Sequence, residues 1–397
     1  MTSEHKSPIL WLPTLYFAKG MPYVVVTVLS LLLLRQMGLS VAVVTLLVSF
    51  FYLPWVLKPW WKPCIDRWLS YRTWLLLTEF FLMLSFATLA FVVGSVPSAF
   101  ALLLLIAFLT SVHNVAVDEF YRNSLAGNER RSYRHVRELA RKLAVVVGQG
   151  VIVMLVGNLQ VLYRYNIGYS WSFMFYLIAG LFLVFLLWHL YAVPDDAEDD
   201  EVPVVRSSYA ALSSALVFFL LCYGLSPAFQ SKVAILFLIE TQHHGGLGLS
   251  PQEFGLVMGS VGIFALTVGG LVGTKVIERC GLRSCLWPMA VAMLVPSAVY
   301  VYLSVSQPSS LLLISVCIFM EQLGFGFGYS AYLAVLRRQR CGQWGKSLMA
   351  LSLLLPCACS GLLAELLDYD VFFLVTLLLG LLSLLSVYII RKTPMAE

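Results

Sequence analysis

Leu75-Leu76-Leu77-Thr78-Glu79-Phe80-Phe81-Leu82-Met83-Leu84-Ser85-Phe86-Ala87-Thr88-Leu89-Ala90-Phe91-Val92-Val93 is an apolar run with one charge, Glu79. An α-helix needs roughly 20 such residues to cross the hydrocarbon core. Nothing in the run alternates as the ~10-residue strands of a membrane barrel do. Because lipid leaves backbone groups no partner outside a helix or a closed barrel, the run is a transmembrane helix. Similar runs fill nearly all of the 397 residues: 60% of the chain is hydrophobic and 12% charged, with a mean hydropathy of +0.86. A soluble domain carries about 25% charge. The chain therefore reads as an all-α membrane protein with twelve transmembrane helices, expected at 8–34, 41–61, 72–94, 98–121, 137–157, 170–192, 209–239, 251–276, 284–304, 310–334, 345–367 and 371–391. The first lacks a small-residue cleavage site and reads as a retained helix, not a signal peptide.

Charge sets the orientation, because lysine and arginine concentrate in cytoplasmic loops. Lys62 and Arg67 follow helix 2, with Arg72 opening helix 3, and Arg130, Arg131, Arg134 and Arg137 follow helix 4. Arg279 and Arg283 follow helix 8, Arg337, Arg338, Arg340 and Lys346 follow helix 10, and Arg391 and Lys392 follow helix 12. The opposite loops hold only Arg35 and Arg164. Both termini are thus expected in the cytoplasm, which requires an even number of helices. The net charge of +5 resides in these loops and gives no argument for nucleic acid.

Enzymatic readings find little support. The eight cysteines are scattered, His243-His244 lacks a clustered third ligand, and Gly148-Gln149-Gly150 lacks the lysine or glycine frame of a phosphate loop. No soluble catalytic domain is present. The expectation is a non-enzyme with no metal and no cofactor.

Pro194–Ser208, with its acidic PDDAEDDE start, reads as a solvated linker. It divides the chain into a six-helix bundle at 1–193, a cytoplasmic linker at 194–208 and a second six-helix bundle at 209–397. The halves resemble each other. Ile65-Asp66-Arg67 with Arg72 recurs 212 residues on as Ile277-Glu278-Arg279 with Arg283, and Lys19 maps at nearly the same offset to Lys232. Two pseudo-symmetric bundles suggest alternating access, one half rocking against the other.

The acid–arginine turn after helices 2 and 8 resembles the cytoplasmic loop of the major facilitator superfamily. Tyr16–Tyr23 (YFAKGMPY), Tyr52–Pro59 (YLPWVLKP), the Asp66-Arg67 turn, His113–Tyr121 (HNVAVDEFY) and Arg141–Ala144 with Gly148-Gln149-Gly150, in this order, resemble the AmpG-type muropeptide permease branch, especially Bacteroidetes-like members. The likeness is dense over 10–155 and general beyond, where 324–332 matches best. It implies proton-coupled import of anhydro-muramyl peptides across the bacterial inner membrane. Partners would be a glycopeptide-like substrate, protons and the lipid bilayer, with the chain acting as a monomer. It also implies that Asp66, Arg67, Arg72, Glu278, Arg279 and Arg283 contact helix ends in one conformational state. Asn114 departs from the branch, which carries an acid there, while Asp118 is kept.

Charges inside the bilayer cost at least ~2.5–3.5 kcal/mol, so each needs a partner or a job. Lys19 shares a helix face with Tyr16 and Tyr23 and is a candidate for holding a substrate carboxylate, or for an ion pair with Glu79 or Asp118. His113, Asn114, Val117, Asp118 and Tyr121 form one stripe of helix 4, with Glu119 turned about 100° away. Asp118, Glu79, Glu321 and His113 are the candidate proton-coupling groups. Gln149, Gln230, Lys232, Glu321, Gln322 and Trp55 are candidate substrate contacts, each with packing, snorkelling or ion pairing as its structural alternative. Gly324, Gly326 and Gly328 would let helices approach closely. Other functional readings are transport of another bulky solute, such as a siderophore or acylated cofactor, and a non-transporting membrane signalling protein.

Overall fold

The computed structural model describes residues 7–164, 166–195, 213–339 and 342–392, and among them there is no strand. Of the expected linker, only Pro194 and Asp195 are described; residues 196–208, with 209–212 of the seventh expected helix and Arg340, lie outside the described residues.

Long apolar helices run over Pro8–Gln36 (α1), Tyr71–Val92 (α3), Val96–Ser124 (α4), Arg134–Leu162 (α5), Ile167–Ala192 (α6), Ser214–Ile239 (α7), Pro251–Cys280 (α8), Leu282–Ser306 (α9) and Leu311–Arg338 (α10). Between α1 and α3, the pair Val41–Val56 and Lys58–Trp68 is bent at its junction and counts as one broken span, α2. The last run, Gly342–Lys392, has 51 residues. At ~1.5 Å per residue it would reach about 77 Å, over twice the ~30 Å hydrocarbon core. It is two helices, 342–367 (α11) and 369–392 (α12), separated at Asp368, where φ 58° and ψ 165° leave the helical region.

Several helices run past their expected ends. α2 continues to Trp68, α4 to Ser124 and α10 to Arg338, while α5 starts at Arg134. Each extension carries charged residues, which can project beyond the hydrocarbon while the backbone stays helical. The basic residues expected as loop are therefore partly the polar ends of helices.

The described residues fall into two compact units, one within Met1–Met37 and Leu57–Arg206, the other within Gly38–Val56 and Ser207–Glu397. The first part of α2 thus packs within the second unit. There, a Cβ on Gly361 of α11 would lie 2.5 Å from Val41 O, so the two helices touch at their backbones.

In the first unit α1 is the most enclosed helix: 83% of its apolar window is buried, against 39% to 56% for α3 to α6. Its neighbours in the unit enclose it on most sides, where α3 to α6 leave more of their surface outward. Trp11, Leu12, Leu15 and Tyr16 pack against Val117, Phe120 and Tyr121 of α4. α1 meets α5 closely, since a Cβ on Gly148 would lie 2.8 Å from Val24 Cγ1. Each of these helices widens into a π-turn nearby, Val25–Leu29 in α1 and Val146–Ile152 in α5.

In the second unit α10 lies between α8 and α9. A Cβ on Gly326 would stand 2.4 Å from Leu266 O of α8, while one on Gly324 would stand 2.8 Å from Val295 Cβ and one on Gly328 2.7 Å from Met289 O, both of α9. The alternating glycines thus serve two interfaces. Phe219 and Tyr223 of α7 stack with Tyr332 of α10, and Tyr223 and Tyr332 donate across the interface to Gly328 O and Leu220 O, each at 2.9 Å.

The internal repeat extends to individual contacts. Trp74 Nε1 donates to Ile65 O at 3.1 Å, and 211 residues on Cys285 Sγ donates to Val276 O at 3.6 Å. Arg72, opening α3, reaches Leu190 O at the end of α6, and Arg283, opening α9, reaches Arg391 O at the end of α12. The third helix of each half is strapped to the last turn of the sixth.

Candidate functional site

The first unit concentrates its ionisable groups where α1, α4 and α5 converge. Lys19 of α1 pairs with Asp118 Oδ1 of α4. Tyr16, one turn earlier on α1, donates to the same oxygen at 3.3 Å. Its ring meets Tyr121 edge-on at 5.7 Å. Arg137 of α5 lies over both rings, 5.7 Å from Tyr16 and 5.3 Å from Tyr121. The i, i+3 spacing on α1 and α4 produces this: Tyr16 and Lys19 share one face, Asp118 and Tyr121 another, and the two faces meet. Lys19 is 13% exposed and Asp118 45%, so the cation is enclosed and the anion is half open.

Deeper in the same unit is a layer with no solvent contact. Glu79 of α3 and His189 of α6 meet at 2.7 Å, both with 0% exposure. His113 Nδ1 of α4 meets Thr78 Oγ1 at 2.9 Å. Glu79 Oε2 and His113 Nε2 have no hydrogen-bond partner. Sequence reading missed His189, although it is the only histidine, lysine, arginine, aspartate or glutamate within the apolar span of α6. It also placed Arg137 merely in a loop, away from the tyrosines it covers.

Charged helix ends form a chain at one end of this unit. Lys62 binds Asp66 at 2.7 Å and reaches Glu119 of α4 at 3.5 Å, Glu119 binds Arg122 at 2.9 Å, and Tyr71 donates to Asp66 at 2.9 Å. Arg67 is exposed. Arg72 adds an ion pair to Asp195 at 3.2 Å. Glu278, Arg279 and Arg283 are exposed at the equivalent turn of the second unit.

Among the remaining candidates of the first unit, Gln149 is half-buried within the α5 π-turn, and Tyr23 is 38% exposed, unlike buried Tyr16. In the second unit Gln230, Lys232 and Glu321 are all buried. Ser297 Oγ donates to Gln230 Oε1 at 2.9 Å and lies 2.7 Å from Ser226 Oγ. Lys232 stands 5.7 Å over the Tyr52 ring. Gln322 Nε2 donates to Glu321 Oε2 at 2.7 Å. Trp55 is half-buried.

Apolar helices in two units with repeated helix-end contacts, each unit holding buried polar groups, have the architecture of a multi-pass membrane protein. The profile of the Major Facilitator Superfamily matches residues 14–339, and the chain belongs to that superfamily. It is 26% identical to the anhydromuropeptide permease of Escherichia coli K12 over 308 residues, 73% of this chain but 60% of that one, so the chain spans 60% of the length of this relative. It is 23% identical, over 92% of each chain, to a Rickettsia conorii protein provisionally named transporter AmpG 4. These relatives agree with the AmpG-type resemblance of the quoted motifs. The crystal structure of the nucleoside transporter NupG superposes with a TM-score of 0.71 at 14% identity, covering 96% of this chain and 98% of that one, a likeness of fold.

Proposed function

We propose that the protein is a secondary transporter that imports anhydro-muramyl peptides across the bacterial inner membrane, driven by protons, through alternating access with both termini in the cytoplasm. The observation that carries this reading is the Lys19–Asp118 pair with its tyrosines and Arg137. It lies within the segments that resemble AmpG-type permeases, and the cargo is an anionic glycopeptide. An enclosed ammonium whose partner is half open is suited to exchanging that partner for a cargo carboxylate. Tyr16 and Tyr121 offer aromatic and hydroxyl surface beside it.

Within the second unit, Gln230, Lys232, Glu321 and Gln322 supply donors and acceptors of the kind sugar and peptide groups require, and Trp55 an aromatic face. The Asp66–Lys62–Glu119 chain and the Arg72 and Arg283 straps are the contacts whose making and breaking would mark the conformational states. Coupling to one proton suffices energetically: a proton falling through about 1.7 pH units releases about 2.3 kcal/mol, a concentration ratio of roughly fifty that holds for an anionic cargo because no net charge need move.

The test is uptake of labelled N-acetylglucosaminyl-anhydro-N-acetylmuramyl peptide into proteoliposomes under an inward proton gradient. No uptake of this cargo beside uptake of another solute would refute the cargo. Equal uptake with and without the gradient would refute the coupling.

A further inference from the structure

The Glu79–His189 pair is built differently from the Lys19–Asp118 pair. Its carboxyl and imidazole are sealed from solvent, meeting Oε1 to Nδ1 at 2.7 Å. Phe185 stacks on the imidazole at 5.9 Å. The other ring nitrogen, Nε2, lies 3.0 Å from the hydroxyl of Thr14 on α1. That hydroxyl donates to Trp11 O at 3.1 Å. Thr14 is half-buried, so the row runs from the sealed interior towards an accessible edge.

Counting donors fixes how many protons this arrangement holds. A hydroxyl that gives its hydrogen to Trp11 O can only accept at Nε2, so Nε2 bears a hydrogen. The short Nδ1–Oε1 contact needs a second hydrogen, on the ring or on the carboxyl. With both present the pair is electrically neutral. Removing one proton from Nε2 leaves a net charge of −1 and keeps Nδ1–H on the carboxylate. It also creates an Nε2 lone pair whose donor at hand is Thr14, once its hydroxyl turns away from Trp11 O. Loss of a proton is thereby tied to a rotation on α1, five residues or about 7.5 Å along the helix from Lys19.

A pair kept only for stability would have its remaining lone pairs satisfied. Glu79 Oε2 has no hydrogen-bond partner. The other titratable group of this layer is His113 of α4, reached through Thr78 and in electrostatic contact with His189, Lys19 and Asp118.

We propose that Glu79 and His189 together are the proton-carrying site of the transport cycle, with Thr14 as the hydroxyl switch that reports its state to α1, leaving Lys19 and Asp118 to the cargo. This rests on the transporter reading above.

Proteoliposomes with the labelled anhydro-muramyl peptide separate the two roles, because exchange of labelled for unlabelled cargo at equal pH needs binding and conformational change but no net proton movement. Glu79→Gln and Thr14→Val are each expected to bring the roughly fifty-fold accumulation that an inward gradient of about 1.7 pH units sustains down to about one, with exchange within about twofold of the unmutated protein. Wild-type accumulation by Glu79→Gln would overturn the proposal. So would a parallel fall of accumulation and exchange in Thr14→Val at an unchanged melting temperature. If Glu79→Gln does not fold, Thr14→Val, which removes one half-buried hydroxyl, decides the matter.

If the unmutated protein exchanges no anhydro-muramyl peptide, the cargo assignment fails instead. The pair is then judged by infrared difference spectra between acid and alkaline pH. A pH-dependent carboxyl or imidazole band that both Glu79→Gln and His189→Gln remove supports the proton site, and the absence of any such band overturns it.

Discussion

Substituting the two members of the Lys19–Asp118 pair should have unequal effects. The lysine is 13% exposed and the aspartate 45%. Asp118→Asn strands an ammonium in a nearly closed place, beside a second cation, since Arg137 covers Tyr16 and Tyr121 in the same cluster. Lys19→Met leaves a carboxylate already half open to solvent, with the Tyr16 hydroxyl still donating to it. Breaking a fully buried pair costs ~3–5 kcal/mol, whereas an exposed pair is worth ~0.2–1 kcal/mol. Discounting the buried figure for the exposure of Asp118 gives about 2–3 kcal/mol for Asp118→Asn, and about 1 kcal/mol or less for Lys19→Met. The double variant removes both charges and should recover most of the larger loss, because the two sites share one interaction. Thermal unfolding of the purified protein in detergent, followed by tryptophan fluorescence, ranks the three variants. A Lys19→Met protein that melts at or below Asp118→Asn, or a double variant whose loss is the sum of the singles, would refute the argument from unequal enclosure.

Other sites give equally direct tests. Gly269→Ala should destabilise the protein by about 1–3 kcal/mol through overpacking, because the new Cβ would lie 2.3 Å from Leu323 O; Gly270→Ala, whose nearest neighbour would be at 3.9 Å, should melt as the wild type does. Arg137→Lys keeps the charge but loses the planar contact with two tyrosine rings, and a fall of about 0.5–2 kcal/mol in detergent stability is expected, with no rescue by added salt. Ser297→Ala removes the donor to buried Gln230 and should cost about 1–3 kcal/mol, while Ser297→Thr, keeping the hydroxyl, should cost less in the same melting assay.

The helices were legible because hydrocarbon permits so few backbone solutions that a run such as Leu75–Val93 has one reading. The division at Asp368 was legible as well, since 342–392 is far too long for a single crossing. Much of the polar interior was not. His189 pairs with Glu79 across 110 positions in the chain, and a lone histidine in an aromatic-rich helix carries no local mark of its partner. The π-turns have no strong sequence signature either: the one in α5 contains Gly148 and Gly150, but Val25–Leu29 in α1 reads as an ordinary apolar turn. Lys19 and Asp118 were each visible from the cost of burying charge. Their meeting, and its enclosure by Arg137, needed the helix packing.

The recurrence of Trp74 on Ile65 as Cys285 on Val276 separates backbone shape from side-chain chemistry. An indole and a thiol share almost no chemistry, yet each bonds a carbonyl nine positions upstream. The bend of the chain thus recurs in the two halves while the residue type at its donor position differs. Each copy of this elbow is a natural reference for the other, so grafting Val276–Cys285 in place of Ile65–Trp74 would show how far the two joints are interchangeable.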